Sequence, residues 1–336
     1  MSSDICIIGV YFGRFDNYIN LWIDSALKNP TIDFLVITDQ SRIVNSNNIK
    51  VINTTLDDVR KKIESKLGMD VSLKRPYKLC DFKPAYGFIF NEYLKDYSYW
   101  GHCDFDLVWG DLRYFFEKYE YKKYDKFLDR GHLTLYKNTD KINRLFMTKI
   151  EGEVDYKTVY VSGHSFLFDE GKTLQHFCDK MNIKVFQERI SADIDCAYTR
   201  YRHAFADTEL TRNYPLQVFY YENGHVFMAY IVDNEVYKKE YPYIHLQKRK
   251  NLILSITDFD SYYITNEGFF DKNDIDITPD VVNQYNHFPG KEFEEKEKEK
   301  YESLFWKGKL KNKIARNPVG KLVTQMYDRI KWRIEK

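Results

Sequence analysis

Ile5-Cys6-Ile7-Ile8-Gly9-Val10-Tyr11 is a continuous apolar run rich in β-branched residues. It has strand length and no polar alternation. That is the pattern of a strand covered on both faces, the condition of a parallel sheet. Working outward, Gly13 breaks the run. Asp16 to Lys28 then sets Tyr18, Leu21, Trp22, Ser25 and Leu27 at near-helical spacing and closes at Asn29-Pro30. Asp33 to Thr38 repeats the buried-strand pattern with Asp39 at its carboxyl end, and Lys50 to Asn53 reads as a third strand. Leu56 to Leu67 reads as a helix ended by Gly68. This alternation predicts an α/β fold with crossover helices.

Further along, Lys78 to Leu94 reads as a helix, Gly131 to Tyr136 and Val159 to Phe168 as strands, and Thr173 to Met181 as a helix. Val226 to Val232 and Glu235 to Tyr241 flank Asp233-Asn234, a hairpin signal, and Asn251 to Ile256 is another apolar run.

The 336 residues suffice for one large domain or two small ones, and 43% hydrophobic content supports a substantial core. The 17% aromatic share suits stacking on sugars or bases, but ordinary core aromatics account for it more simply. A net charge of +1 gives no field for nucleic acid, so no such partner is expected. Cys6, Cys80, Cys103, Cys178 and Cys196 are scattered, without CxxC spacing. Neither a zinc site nor a disulfide framework follows, and a cytoplasmic location is expected. The N-terminus has no basic leader region, and no apolar stretch has membrane-spanning length.

Chemistry concentrates in Trp100-Gly101-His102-Cys103-Asp104-Phe105-Asp106. Carboxylates two apart share a strand face. Where a strand runs into a loop, they offer two hard oxygen ligands to Mg²⁺ or Mn²⁺. The apolar surroundings make an unpaired carboxylate pair expensive, which adds weight to a cation. Open α/β sheets bind ligands beyond the carboxyl ends of their strands. Tyr11, Phe12, Gly13 and Asp39 occupy such positions, with core packing and capping as their competing roles. Lys78-Leu79-Cys80-Asp81-Phe82-Lys83-Pro84 puts two cations and a carboxylate on one turn. Asp81 suits either an N-cap or, with Lys83, a phosphate-bearing ligand.

The Lys-X-X-Asp turn at 78–81, the aromatic lead-in and Asp-X-Asp together resemble the nucleotide-sugar core of GT-A glycosyltransferases. The nearest likeness is to families 32 and 8 and to capsule or exopolysaccharide cluster transferases. Those share segments like Tyr11-Phe12-Gly13, residues 78–84, Gly101-His102-Cys103-Asp104-Phe105-Asp106 and residues 131–138. The likeness covers about residues 5–250. It implies a GT-A, Rossmann-like fold whose sheet is mixed and mostly parallel, flanked by helices. It also implies a metal-dependent transfer, with retention of configuration, from a nucleotide-sugar donor, UDP-linked, to a saccharide or lipid-linked oligosaccharide acceptor. By the same resemblance His245 completes the metal shell with Asp104 and Asp106, and Lys248 and Arg249 hold the diphosphate. The glycine and Pro-Trp that flank that lysine in family 8 are absent here. Asp193 or Asp195 would orient an acceptor hydroxyl or act as base, their alternative being a turn and cap. His132 and His164 follow glycines at strand starts; either could line the acceptor groove, and a structural role is their competing reading.

Residues 1–255 would form the catalytic domain, 256–305 an extension with the solvated charge run 291–300, and 306–336 a basic amphipathic helix. From Trp306 onward ten basic residues face only Asp328 and Glu335, and Leu322, Met326, Ile330 and Ile334 form one stripe. Such a helix suits an anionic membrane surface, here the inner face of the plasma membrane, or docking on the catalytic domain. Two competing functions are a metal-dependent nucleotidyltransferase and a non-catalytic, membrane-associated sugar-nucleotide binder.

Overall fold

A computed structural model describes residues 3–169, 172–273 and 276–316 of the chain. The strands run β1 (Ile5–Tyr11), β2 (Asp33–Thr38), β3 (Ile49–Asn53), β4 (Tyr99–Cys103), β5 (Leu107–Trp109), β6 (Lys126–Arg130), β7 (Leu133–Lys137) and β8 (Val185–Phe186). They continue as β9 (Ala192–Asp193), β10 (Gln217–Glu222), β11 (His225–Val232), β12 (Glu235–Tyr241), β13 (Tyr243–His245), β14 (Ile253–Ser255), β15 (Ser261–Ile264) and β16 (Gly268–Asp271). The main sheet has the order β3-β2-β1-β4-β7-β6-β8. Its half β3-β2-β1-β4 is parallel, and β7 is antiparallel to both β4 and β6.

The two-faced burial of β1 is realised residue by residue. Cys6 and Ile8 enter one core, and Ile5 and Ile7 enter the other. On β2, Leu35 and Ile37 join the first, and Phe34 and Val36 join the second. Helix Ile19–Leu27 covers the second core with Ile19, Trp22 and Ala26. Helix Leu56–Leu67 covers the first with Val59 and Ile63. The side chain of Thr55 caps that helix, and Gly68 ends it at φ 65°.

Two expected elements differ. Lys78 to Leu94 is not one helix: Pro76–Ala85 winds as 3₁₀, followed by a single α-turn, Tyr86–Ile89. Lys78 and Asp81 pair at i,i+3, which suits the tighter winding, and Pro84 removes an N–H from the ladder. Val159 to Phe168 is not a strand. Asp155 caps a helix at Tyr156–Val161, and residues 162–169 follow without regular structure. Local capping outweighs the β-preference of Val159 and Val161.

The second sheet, β12-β11-β10-β15-β16-β14, contains the expected hairpin, with Asp233 and Asn234 both at positive φ. A boundary at 255 would cut through this sheet, since β14 pairs with β16 and β15 with β10. The helix Lys291–Arg316 begins in the charge run, yet Glu294 is buried, 2.8 Å from Arg200 and 2.6 Å from Arg202. The stripe Leu322, Met326, Ile330 and Ile334 lies outside the described residues. Among the described residues no helix is long and apolar enough to cross a membrane.

Candidate metal centre

Asp104 and Asp106 lie in the turn between β4 and β5, beyond the carboxyl end of a parallel strand. The turn is fixed by its backbone. Asp104 N–H donates to the His132 carbonyl at 3.1 Å, and the Trp22 indole donates to the Asp104 carbonyl at 3.2 Å. Between the two carboxylates Phe105 turns inward across β1. A Cβ on Gly9 would meet its ring at 2.4 Å, so glycine is needed there for the close approach.

His245 arrives from far along the chain. A small three-stranded sheet, β5-β13-β9, carries it. In this sheet His245 pairs with Leu107 on one side and Asp193 on the other. Leu246 N–H donates to the Asp106 carbonyl at 2.9 Å, which zips this turn to β13. Gln247 and Lys248 follow at φ 36° and 60°, left-handed backbone that curls the Lys248 N–H to 3.4 Å from the Asp106 carboxylate.

Asp104, Asp106 and His245 each bring a ligand atom within 4.8 Å of the others. His245 Nε2 is 3.5 Å from Asp106 Oδ1, too long for a good hydrogen bond. That spacing is close to the roughly 3 Å expected of two ligands around one cation. On its other side Nδ1 is 2.7 Å from Asp193 Oδ1, a hydrogen bond that orients the ring. Burial opposes charge on His245, but Asp106 and Asp193 outweigh it and lift the imidazole to about 10. With no cation there the imidazole carries the proton, and a metal ion bound through Nε2 would displace it. Two carboxylates and one imidazole form a donor set that fits Mn²⁺ or Mg²⁺.

His132, Asp193 and His245 form an overlapping acid–imidazole group. The His132 ring lies 4.3 Å from that of His245, centroid to centroid, and its Nδ1 is 3.1 Å from the Tyr243 hydroxyl. Burial and the neighbouring His245 charge hold His132 well below the ordinary histidine range, so it is neutral. A small cavity of about 20 Å³, with room for about one water, lies beside His132 and Asp193.

Several sequence expectations meet different surroundings. Lys83 is buried and reaches Asp104 at 2.7 Å, the Gly131 carbonyl at 2.7 Å and Asp169 at 3.4 Å. Its ammonium is engaged by these groups of the protein rather than turned outward to solvent. Asp81 is fully buried and accepts from Lys78 and from the N–H groups of Phe166 and Phe168. It neither caps a helix nor faces a ligand. Phe12 packs in the first core, whereas Tyr11 is half-buried and stacks on Phe15. Gly13, at φ 101°, donates its N–H to Asp39 at 3.0 Å, and these two stay at the open strand ends. The Arg249 guanidinium donates to the carbonyls of Asp195 and Tyr198, so it is committed to the backbone, while Lys248 is exposed. Asp193 stands behind His245, and Asp195 closes a turn by accepting from Ala197 N–H. His164 is exposed, and its carbonyl accepts from Lys78.

One neighbour of the centre, Asp169, escaped sequence reasoning. Asp169 follows a segment whose folding sequence periodicity misread. His132, read from the sequence as structural or as lining the acceptor groove, immediately precedes β7 and stands beside His245.

The molecule is thus a mixed α/β protein with an acid–histidine centre at the carboxyl edge of its parallel strands. It belongs to a family of unknown function, DUF6625, whose model matches residues 7–273. Among curated proteins none matches the chain.

Proposed function

We propose that this chain is a metal-dependent glycosyltransferase of GT-A architecture, transferring a sugar from a UDP-linked donor to a saccharide acceptor in surface polysaccharide synthesis. The observation that carries the reading is the convergence of Asp104 and Asp106 with His245, which is 139 residues beyond Asp106, at the sheet edge where α/β folds hold nucleotides. Asp104, Asp106 and His245 would hold Mn²⁺ or Mg²⁺, which when bound supplies charge neutralisation to a diphosphate leaving group. Tyr11 offers a stacking face for the base, and Asp39 an exposed acceptor for the ribose. Lys248 is the cation left for the diphosphate. Asp193 orients His245, which leaves Asp195 as the nearer candidate to orient the acceptor. Retention of configuration rests on the family resemblance alone. The basic segment 306–336 would hold the enzyme at an anionic membrane surface beside a lipid-linked acceptor.

The test is a thermal-shift series with UDP, GDP and CMP, each with and without Mn²⁺, on the full chain and on Asp106→Ala. UDP should stabilise the wild type only together with Mn²⁺, and Asp106→Ala should lose that gain while keeping its ligand-free midpoint. Equal shifts in both proteins, or no UDP shift with Mn²⁺, would sink the reading.

A further inference from the structure

A second cleft lies away from the metal centre, where the β15–β16 turn meets the helices Pro279–Asn286 and Lys291–Arg316. Its volume is about 400 Å³, within the range of small-molecule sites. We infer that this cleft binds a saccharide, as a subsite for a part of a glycan distant from the metal centre.

The lining has the two chemistries that a sugar ring needs. A pyranose has an apolar C–H face and a rim of hydroxyls. Tyr285, stacked on Tyr263 at 4.4 Å and next to Phe270 at 5.8 Å, supplies an aromatic wall. Phe293 adds a second ring, which is 52% exposed and open to stacking. Asn266, Gln284 and Glu297 bring amide and carboxylate groups to the same space. Glu297 uses one oxygen on the Thr199 hydroxyl, while its other oxygen is buried without a hydrogen-bond partner.

The walls are fixed before any ligand arrives. Asn286 accepts from Tyr201 N–H and donates to the carbonyls of Tyr201 and Gln217. Glu294 is held by Arg200 and Arg202. Both helices are therefore bolted to the body on either side of the cleft, which limits the ordering cost of binding. Thr199, on the cleft wall, is six residues from Asp193, so at most about 20 Å of chain separates the cleft from the metal centre. A short oligosaccharide spans that distance.

The inference concerns binding alone and needs neither nucleotide nor metal. The experiment is saturation-transfer NMR with titration of maltotriose, chitotriose and globotriose against the full chain, in metal-free buffer without nucleotide. At least one trisaccharide should bind, and Phe293→Ala and Gln284→Ala should each weaken it about tenfold. Tyr114→Ala, an exposed aromatic elsewhere, should leave it unchanged. Thermal midpoints of all variants should match the wild type, since these side chains are exposed. The inference is overturned if no trisaccharide binds at about 10 mM, or if both cleft variants bind as well as the wild type. Trisaccharide binding without any UDP response would keep the cleft and discard the transferase.

Discussion

Lys83 is the residue whose surroundings matter most to the centre. It is a buried ammonium between Asp104 and Asp169, and these carboxylates overcome burial to raise its pKa well above the ordinary range. Removing it takes away the ammonium that Asp104 and Asp169 share. Lys83→Ala is therefore expected to destabilise the fold by on the order of 3 kcal/mol, visible as a lower urea midpoint with unchanged slope. A midpoint equal to wild type would mean that the lysine faces a ligand after all. Asp193 makes a separate prediction. Asp193→Asn keeps its shape but takes away the charge behind His245 Nδ1. Mn²⁺ affinity, read by calorimetry, should fall about 10- to 100-fold with little loss of stability. Unchanged affinity would remove Asp193 from the metal's support.

At the scale of elements, the segment 162–169 depends on a single carboxylate. Asp81 sits inside the 3₁₀ run and takes the N–H groups of Phe166 and Phe168 together with the Lys78 ammonium. Asp81→Ala should raise the hydrogen-exchange rates of those two amides by at least about tenfold, while β1 and β2 keep their protection. Uniform loosening of the main sheet would show that Asp81 supports the whole core instead. The same segment carries Asp169 to Lys83, so this segment and the Asp-X-Asp turn are mechanically joined.

At the scale of the molecule, acid stability follows from buried neutral histidines. Burial first, then the charges of Lys239 and Arg202, push His203 down to about 3. Burial likewise holds His102 and His132 well below their ordinary range. Unfolded histidines titrate near 6.5. Between about pH 3 and 6.5 the unfolded chain binds protons that the folded chain refuses, so stability rises with pH across that window. His245, lifted to about 10, stays protonated in the folded state across this window and opposes the slope as unfolded histidines lose their protons towards pH 6.5. Each depressed histidine contributes at most about 1.4 kcal/mol per pH unit. His203→Gln should flatten the dependence of unfolding free energy between about pH 4.5 and 6.5 by up to that amount. An unchanged slope in urea titrations would mean that His203 is hydrated.

The amino-acid sequence by itself determined the strands β1 and β2, the helix ended by Gly68, the Asp233-Asn234 hairpin and the place of the Asp-X-Asp turn. Each is written in neighbouring residues, as unbroken apolar runs, capping groups or turn chemistry. Tertiary structure alone decided what surrounds the carboxylates. Nothing local in Lys83 says that its ammonium meets Asp104 rather than a phosphate, because that depends on how far the 3₁₀ run is buried. Nothing local in Asp193 says that it stands behind His245, because that follows from the parallel register of β9 and β13. Arg249 and Asp81 read as ligand-facing for the same reason: a charged side chain advertises its chemistry, while the backbone groups that claim it come from segments about 50 to 90 residues away.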